Sequence, residues 1–114
     1  MNNLIKTIFS LSDSIRYVAI YSDGKLVSST KQNLQNESSS ESDKYEELIV
    51  NPTLLKLVIQ RGNIDCGGAD YVLIRYGHFF EFVKPFAQGH ISIGIQLDKN
   101  PLELIPLIEN VISN

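Results

Sequence analysis

The stretch Asp70-Tyr-Val-Leu-Ile-Arg-Tyr76, Gly77-His78, Phe79-Phe-Glu-Phe-Val-Lys-Pro-Phe86, Ala87-Gln-Gly89, His90-Ile-Ser-Ile-Gly-Ile-Gln-Leu97 decides the fold. Three runs rich in β-branched and aromatic residues are cut by Gly77 and Gly89. That pattern predicts three consecutive antiparallel strands. The last run alternates: Ile91, Ile93, Ile95 and Leu97 face one way, and Ser92, Gly94 and Gln96 face the other.

Upstream, Ile15-Arg-Tyr-Val-Ala-Ile-Tyr21 predicts a strand. Ser22-Asp-Gly-Lys25 is a tight turn, since Asp-Gly between apolar runs is a strong hairpin signal. Leu26-Val-Ser-Ser-Thr30 returns as a short strand, polar at its end, which suits a sheet edge. Residues 2–12 carry Leu4, Ile5, Ile8, Phe9 and Leu11 at helical spacing and predict a short opening helix. Residues 31–42, with one strongly apolar residue, predict a mobile loop, either an insertion or a functional loop.

Asp43 to Arg61 predicts helix, with Ser42 or Asp43 as cap and Glu46 and Glu47 in its first turn. Asn51-Pro52 is expected to divide it, with Asn51 capping the second segment and Pro52 at its first position. Gly62 is the expected terminator. In that second segment Leu54, Leu55, Leu57, Val58 and Ile59 leave only a narrow polar face. A helix apolar on two sides needs two partners, so it is either deep core or half of a dimer contact. At the far end, Asn100, Pro101 and Glu103 open a final helix with Leu104, Ile105, Leu107, Ile108, Val111 and Ile112 on its buried face. Pro106 conflicts with that helix unless the helix starts late or kinks. The fold class is α+β: a five-stranded antiparallel sheet flanked by helices, in the order α-β-β-α-β-β-β-α, as a single domain over 1–114.

Composition narrows the function. The chain has 114 residues, 43% hydrophobic and 20% charged, enough apolar side chain for one core. Its ten Lys and Arg are scattered against thirteen Asp and Glu, which argues against nucleic acid. No apolar run approaches the ~18 residues of a membrane span, and the start lacks the pattern of a secretory signal. Cys66 is the only cysteine, so a reducing, cytoplasmic setting is expected.

No catalytic, cofactor or metal signature stands out. Cys66 with His78 and His90 would be the only nucleophile and base, and the same residues with Asp65 the only metal candidates, at spacings that match no common ligand motif. Gly67-Gly68 precedes a strand and is no phosphate loop. Glu81, among Phe79, Phe80, Phe82 and Val83, is expected on the solvent side or paired with Arg75, with an acid at a pocket mouth as the functional alternative. The aromatics Tyr17, Tyr21, Tyr71, Tyr76, Phe79, Phe80, Phe82 and Phe86 are too many for one sheet face.

The hairpin Ile15 to Ser29, with its acidic-Gly turn, and the strand Ile91 to Leu97 before an Asn-Pro-started helix resemble the Roadblock/LC7 family and, more broadly, longin and profilin-like folds. The hairpin is also similar to that of small uncharacterised archaeal proteins. The resemblance implies a non-enzymatic module that homodimerises and acts as a scaffold or regulator for small GTPases and motor complexes. Carried onto this chain, the dimer interface would use Leu54, Leu55, Val58, Ile59, Tyr71, Leu73 and Arg75. The alternative is a PAS- or GAF-like sensory domain holding a small ligand between sheet and helix. A PAS-like domain places several helices between its second and third strands and ends on strand. A polar cluster on the covered sheet face goes with a sensor, and an apolar one with a scaffold.

Overall fold

A computed structural model describes residues 1–113. The elements are α1 (Asn2–Phe9), β1 (Ile15–Ser22), β2 (Lys25–Thr30), α2 (Ser40–Tyr45), a π-helical turn (Glu46–Val50), α3 (Asn51–Asp65), β3 (Val72–Arg75), β4 (Phe80–Phe86), β5 (Gly89–Ile95) and α4 (Pro101–Ile112). The strands form one antiparallel sheet in the order β2-β1-β5-β4-β3. All three hairpins, β1–β2, β3–β4 and β4–β5, pair antiparallel. Asp23 and Gly24 have φ of 53° and 78°, the backbone that Asp-Gly favours between twisted strands.

Alternation splits the sheet into two unlike faces. On one, Val18, Ile93, Phe82 and Leu73 sit side by side across four strands. Ile5 and Ile8 of α1 and Leu104, Ile105 and Ile108 of α4 pack on this face and close the apolar core. Each buried side chain of this kind contributes about 1.5–3 kcal/mol. On the other face run two rows: Ala19, Ser92, Val83 and Val72, and next to it Tyr17, Gly94, Glu81 and Ile74. The helical segment from Ser40 to Asp65 covers this second face. All six residues from His90 to Ile95 are buried, so β5 is covered on both faces. Leu97, expected inward, lies beyond the strand and is exposed.

The expected break at Asn51-Pro52 is absent. Asn51 has helical φ and ψ of −65° and −45°, and its N–H bonds to the Glu46 carbonyl five residues back. In an α-helix the Pro52 ring would press on the Leu48 carbonyl. The wider π turn absorbs the proline without ending the helix. Glu46 and Glu47 therefore lie mid-helix rather than at its start. The cap is Ser39, whose hydroxyl accepts from the Ser42 N–H at 3.1 Å, so the connecting loop ends three residues earlier than expected.

Gly62 does not terminate α3. It is buried against the loop that follows, and a Cβ there would meet the Gly68 carbonyl oxygen at 2.7 Å. The left-handed residues are Gly67 and Gly68, at φ 80° and 92°. At the other end of the chain, Asn100 caps α4 through the Leu102 N–H, 3.0 Å away. Pro106 sits inside an α4 that runs on to Ile112. The carbonyl it leaves without a donor belongs to exposed Leu102, where water can serve it. Leu107, placed by periodicity on the buried face, is exposed.

Candidate functional site

The covered second face of the sheet is polar at its centre. Glu47, from the π turn, is fully buried. Its Oε1 accepts from His90 Nε2 at 2.8 Å and from Asn51 Nδ2 at 3.0 Å, and its Oε2 accepts from the Ser92 hydroxyl at 2.5 Å. Three donors on one carboxylate are what a buried acid requires. Asn51 also reaches Glu81 Oε2 at 3.5 Å. Glu81 is 2% exposed, which overturns both its expected solvent position and its pairing with Arg75. Strand register places Ile74, not Arg75, opposite it. Burial pushes the Glu81 carboxyl well above its ordinary range, and the nearby Glu47, Glu46 and Asp43 push it further.

Beside this cluster lies a cavity of about 580 Å³, bounded by the start of β1, the end of β3 and the helical segment. Gly94, between Tyr17 and Glu81 in the sheet, lets its neighbours close in: a Cβ there would meet Arg16 Cγ at 3.1 Å and Tyr17 Cβ at 3.4 Å. Glu81, Glu46, Tyr17, Tyr76 and Phe79 are among its walls. Glu46 accepts from the Tyr76 hydroxyl at 2.9 Å, yet burial still raises its carboxyl above the ordinary value. Burial and the neighbouring carboxylates raise the Tyr17 and Tyr76 phenols as well. Among the described residues four buried polar atoms lack a partner: Tyr17 Oη, Glu46 Oε2, Asn51 Oδ1 and Glu81 Oε1. Arg16, buried at a β-bulge, closes one side. Its guanidinium lies 4.8 Å from the Phe79 ring centroid and donates to the carbonyls of Gln35, Asn36 and His78. The arrangement can accept hydrogen bonds and positive charge.

No protein-family model and no curated sequence matches the chain. Solved structures do match in shape. MglC from Myxococcus xanthus superposes with a TM-score of 0.57 at 10% identity, over 98% of this chain and 96% of that one. The gliding protein MglB from Thermus thermophilus gives a TM-score of 0.67 at 9% identity, over 99% of this chain and 82% of that one. The fold is Roadblock/LC7-like. A Roadblock-like order, with one continuous helical segment between β2 and β3 and a helix at the end, departs from the PAS-like alternative. The polar cluster is nevertheless the feature expected of a sensor.

Within this Roadblock-like frame the expected interface residues do not form one free surface. Leu55 is buried and belongs to the packing of α3 on the sheet. Leu54, Ile59, Tyr71 and Leu73 are half-buried, with the Tyr71 ring 5.3 Å from that of Phe82. Val58 and Arg75 are exposed, and Arg75 donates to the Tyr76 and Gly77 carbonyls. Leu57, at 59% exposure, and Ile64, at 75%, add to the apolar surface of α3, and Tyr45, Leu48 and Ile49 are exposed in the turns before it. Strand β3 is a sheet edge.

The residues weighed for catalysis or metal binding are dispersed. His90 is buried on Glu47, His78 is exposed in a turn, and exposed Cys66 turns to Asp65. Among the described residues no three His, Cys, Asp or Glu are grouped to hold a metal, and no helix is long and apolar enough to cross a membrane. The sequence placed Glu47 and Asn51 at helix starts and weighed His90 with Cys66, and it missed their grouping with Ser92. Their signal was present: two polar side chains at i, i+4 in an apolar helical run, and two polar residues on one face of a strand otherwise made of isoleucine and glycine.

Proposed function

We propose that this chain is a non-enzymatic interaction module that works as a homodimer and serves as a scaffold or regulator in small-GTPase signalling. The observation that carries the reading is the exposed apolar surface of Leu57, Val58 and Ile64 on α3, on a domain whose neighbouring strand β3 has an unpaired edge. An apolar helix face with no cover and a free strand edge are both surfaces that a second copy can satisfy. The Roadblock-like fold supports the same arrangement, in which this helix and β3 of each subunit meet to continue one sheet. The proposal places the module in the cytoplasm, where a lone exposed thiol such as Cys66 stays reduced.

The test is the solution mass by light scattering on a sizing column. The expected value is twice 12.8 kDa. Leu57→Asp and Val58→Asp should each give a folded monomer, because both side chains are exposed. Leu55→Asp is unsuitable, since Leu55 is core. A parent that runs as a clean monomer at tens of micromolar removes the reading.

A further inference from the structure

We propose that the cavity between β1, β4 and the π turn is a binding site for a small organic cation, an ammonium or guanidinium group carried on an apolar body.

Two separate observations lead there. The first is the set of unserved atoms. Glu81 Oε1 and Glu46 Oε2 are buried without partners on the cavity wall, and Tyr17 Oη joins them. A carboxylate accepts at both oxygens, a neutral carboxyl still accepts at its carbonyl oxygen, and the phenol oxygen can accept as well. A buried acceptor left unserved destabilises the empty site, so an occupant bringing several donors is favoured. The surrounding side chains do not supply them. Arg16 directs three of its five N–H groups to backbone carbonyls and none to these atoms, and the Asn51 amide is turned to Glu47 and Glu81 Oε2. An ammonium carries three donors and a guanidinium five.

The second observation is the wall. Tyr17, Tyr76 and Phe79 line the same space, and the Tyr76 and Phe79 rings stand 5.3 Å apart at 56°. Aromatic faces beside carboxylates suit an organic cation over an anion or a bare metal ion. A volume of about 580 Å³ falls within the range of small-molecule sites.

Binding is coupled to protons. Glu81 faces Tyr17 on β1, Asp43 on α2, Glu46 and Glu47 on the π turn and Asn51 on α3; Glu47 in turn holds His90 of β5, and Arg16, the one fixed positive charge on the cavity wall, lies at its rim with Glu37, Tyr76 and His78. Burial and this ring of acids favour the neutral carboxyl in the empty site, and an arriving cation favours the carboxylate. The cation therefore displaces a proton to solvent.

The experiment is titration calorimetry on the full chain. Tyramine is the ammonium probe, agmatine the guanidinium probe and 4-hydroxyphenylacetate the anionic control. At least one cation should bind with Kd below ~1 mM, at least tenfold tighter than the anion. Its affinity should rise with pH, and repeating the titration in buffers of different ionisation enthalpy should show net proton release. Glu81→Gln should weaken binding about tenfold or more and abolish the proton release. Glu46→Gln, at a half-buried position, is the second variant should Glu81→Gln fold poorly, and it should weaken binding in the same direction. Absence of heat with both cations at ~10 mM overturns the proposal, as does equal affinity for the anion. Affinity unmoved by the folded variants does the same. None of these outcomes bears on solution mass, so failure here is distinct from failure of the dimer.

Discussion

Replacing Glu47 with alanine asks whether the polar centre beneath the helical layer is a closed network. The side chain accepts from His90, Asn51 and Ser92, and all four residues are buried. Hydrogen bonds to a charged group contribute about 1.5–3 kcal/mol each, and donors left unserved in the interior cost about 1–3 kcal/mol each. These terms overlap and do not add, and water can enter the space left by the carboxylate. The loss of a buried charged partner is therefore expected at about 3–5 kcal/mol. Total stability for a domain of this size is about 5–15 kcal/mol, so the variant should fold with little margin. In urea, with a slope near ~1.5 kcal/mol/M, the midpoint should fall by roughly 2–3 M with the slope unchanged. A companion variant, Glu47→Leu with His90→Leu and Ser92→Ala, removes acceptor and two donors together and should recover most of the loss, because apolar replacement of a whole buried network is often near neutral. A loss under about 1 kcal/mol for Glu47→Ala would show that the donors find other partners. A triple variant as unstable as the single one would mean that the cost lies in the cavity rather than in unpaired donors.

Two further outcomes follow from the same structure. Gly89→Ala would place a Cβ 1.8 Å from the Tyr21 carbonyl oxygen, so the β1–β5 pairing must shift; the urea midpoint should drop by an amount equivalent to several kcal/mol, and a change within about 0.5 kcal/mol would contradict the close approach. The carboxyl of Glu81 is raised in the folded protein, so between its unfolded and folded pKa values the native state binds more protons than the unfolded one. Stability from this group is fully present below the unfolded pKa and declines as pH rises through the folded one, by at most about 1.4 kcal/mol per pH unit. Glu46 is raised as well and acts in the same direction. Glu81→Gln should match the parent near pH 4 and exceed it at pH 8, as read by urea midpoints across that range; parallel pH profiles would show that Glu81 ionises freely.

The sheet was legible because its signals are local. Asp23-Gly24 fixes one hairpin, and the isoleucines at 91, 93 and 95 fix the apolar face of β5. The final helix was equally legible from Asn100 and Pro101. The reading failed where the outcome depended on a neighbour distant in sequence. Pro52 is a reliable local signal against α-helical geometry, but a π turn is a different response to the same clash, and nothing between residues 46 and 52 announces which will occur. Glu81 was assigned to solvent because a carboxylate among phenylalanines has no local partner; its hydrogen-bond partner Asn51 lies 30 positions upstream. Gly62 was taken for a helix stop because glycine has that role most often, whereas here it admits the Gly68 backbone. In each case the residue was singled out correctly, and its role was set by packing that the local sequence does not encode.

The polar cluster and the exposed apolar face belong to one energetic problem, the retention of α3. In this 15-residue helix the buried positions are Asn51, Leu55 and Gly62, only one of them a large apolar side chain. Burying a leucine is worth about 1.5–3 kcal/mol, while ordering each residue costs about 1–2 kcal/mol, most of it returned through helix bonds and packing. On the other face of the sheet, α4 buries Leu104, Ile105 and Ile108 over 12 residues. The deficit of α3 is met on its inner side at one end by the acceptor at Glu47 and at the other by the contact of Gly62 with Gly68. On its outer side Leu57 and Ile64 remain in water. A helix held inside by hydrogen bonds and left apolar outside gains most from a partner that covers the outside. This is why the Leu57→Asp and Val58→Asp variants discriminate so directly: they add charge to the outer face and leave every inner contact of the helix in place.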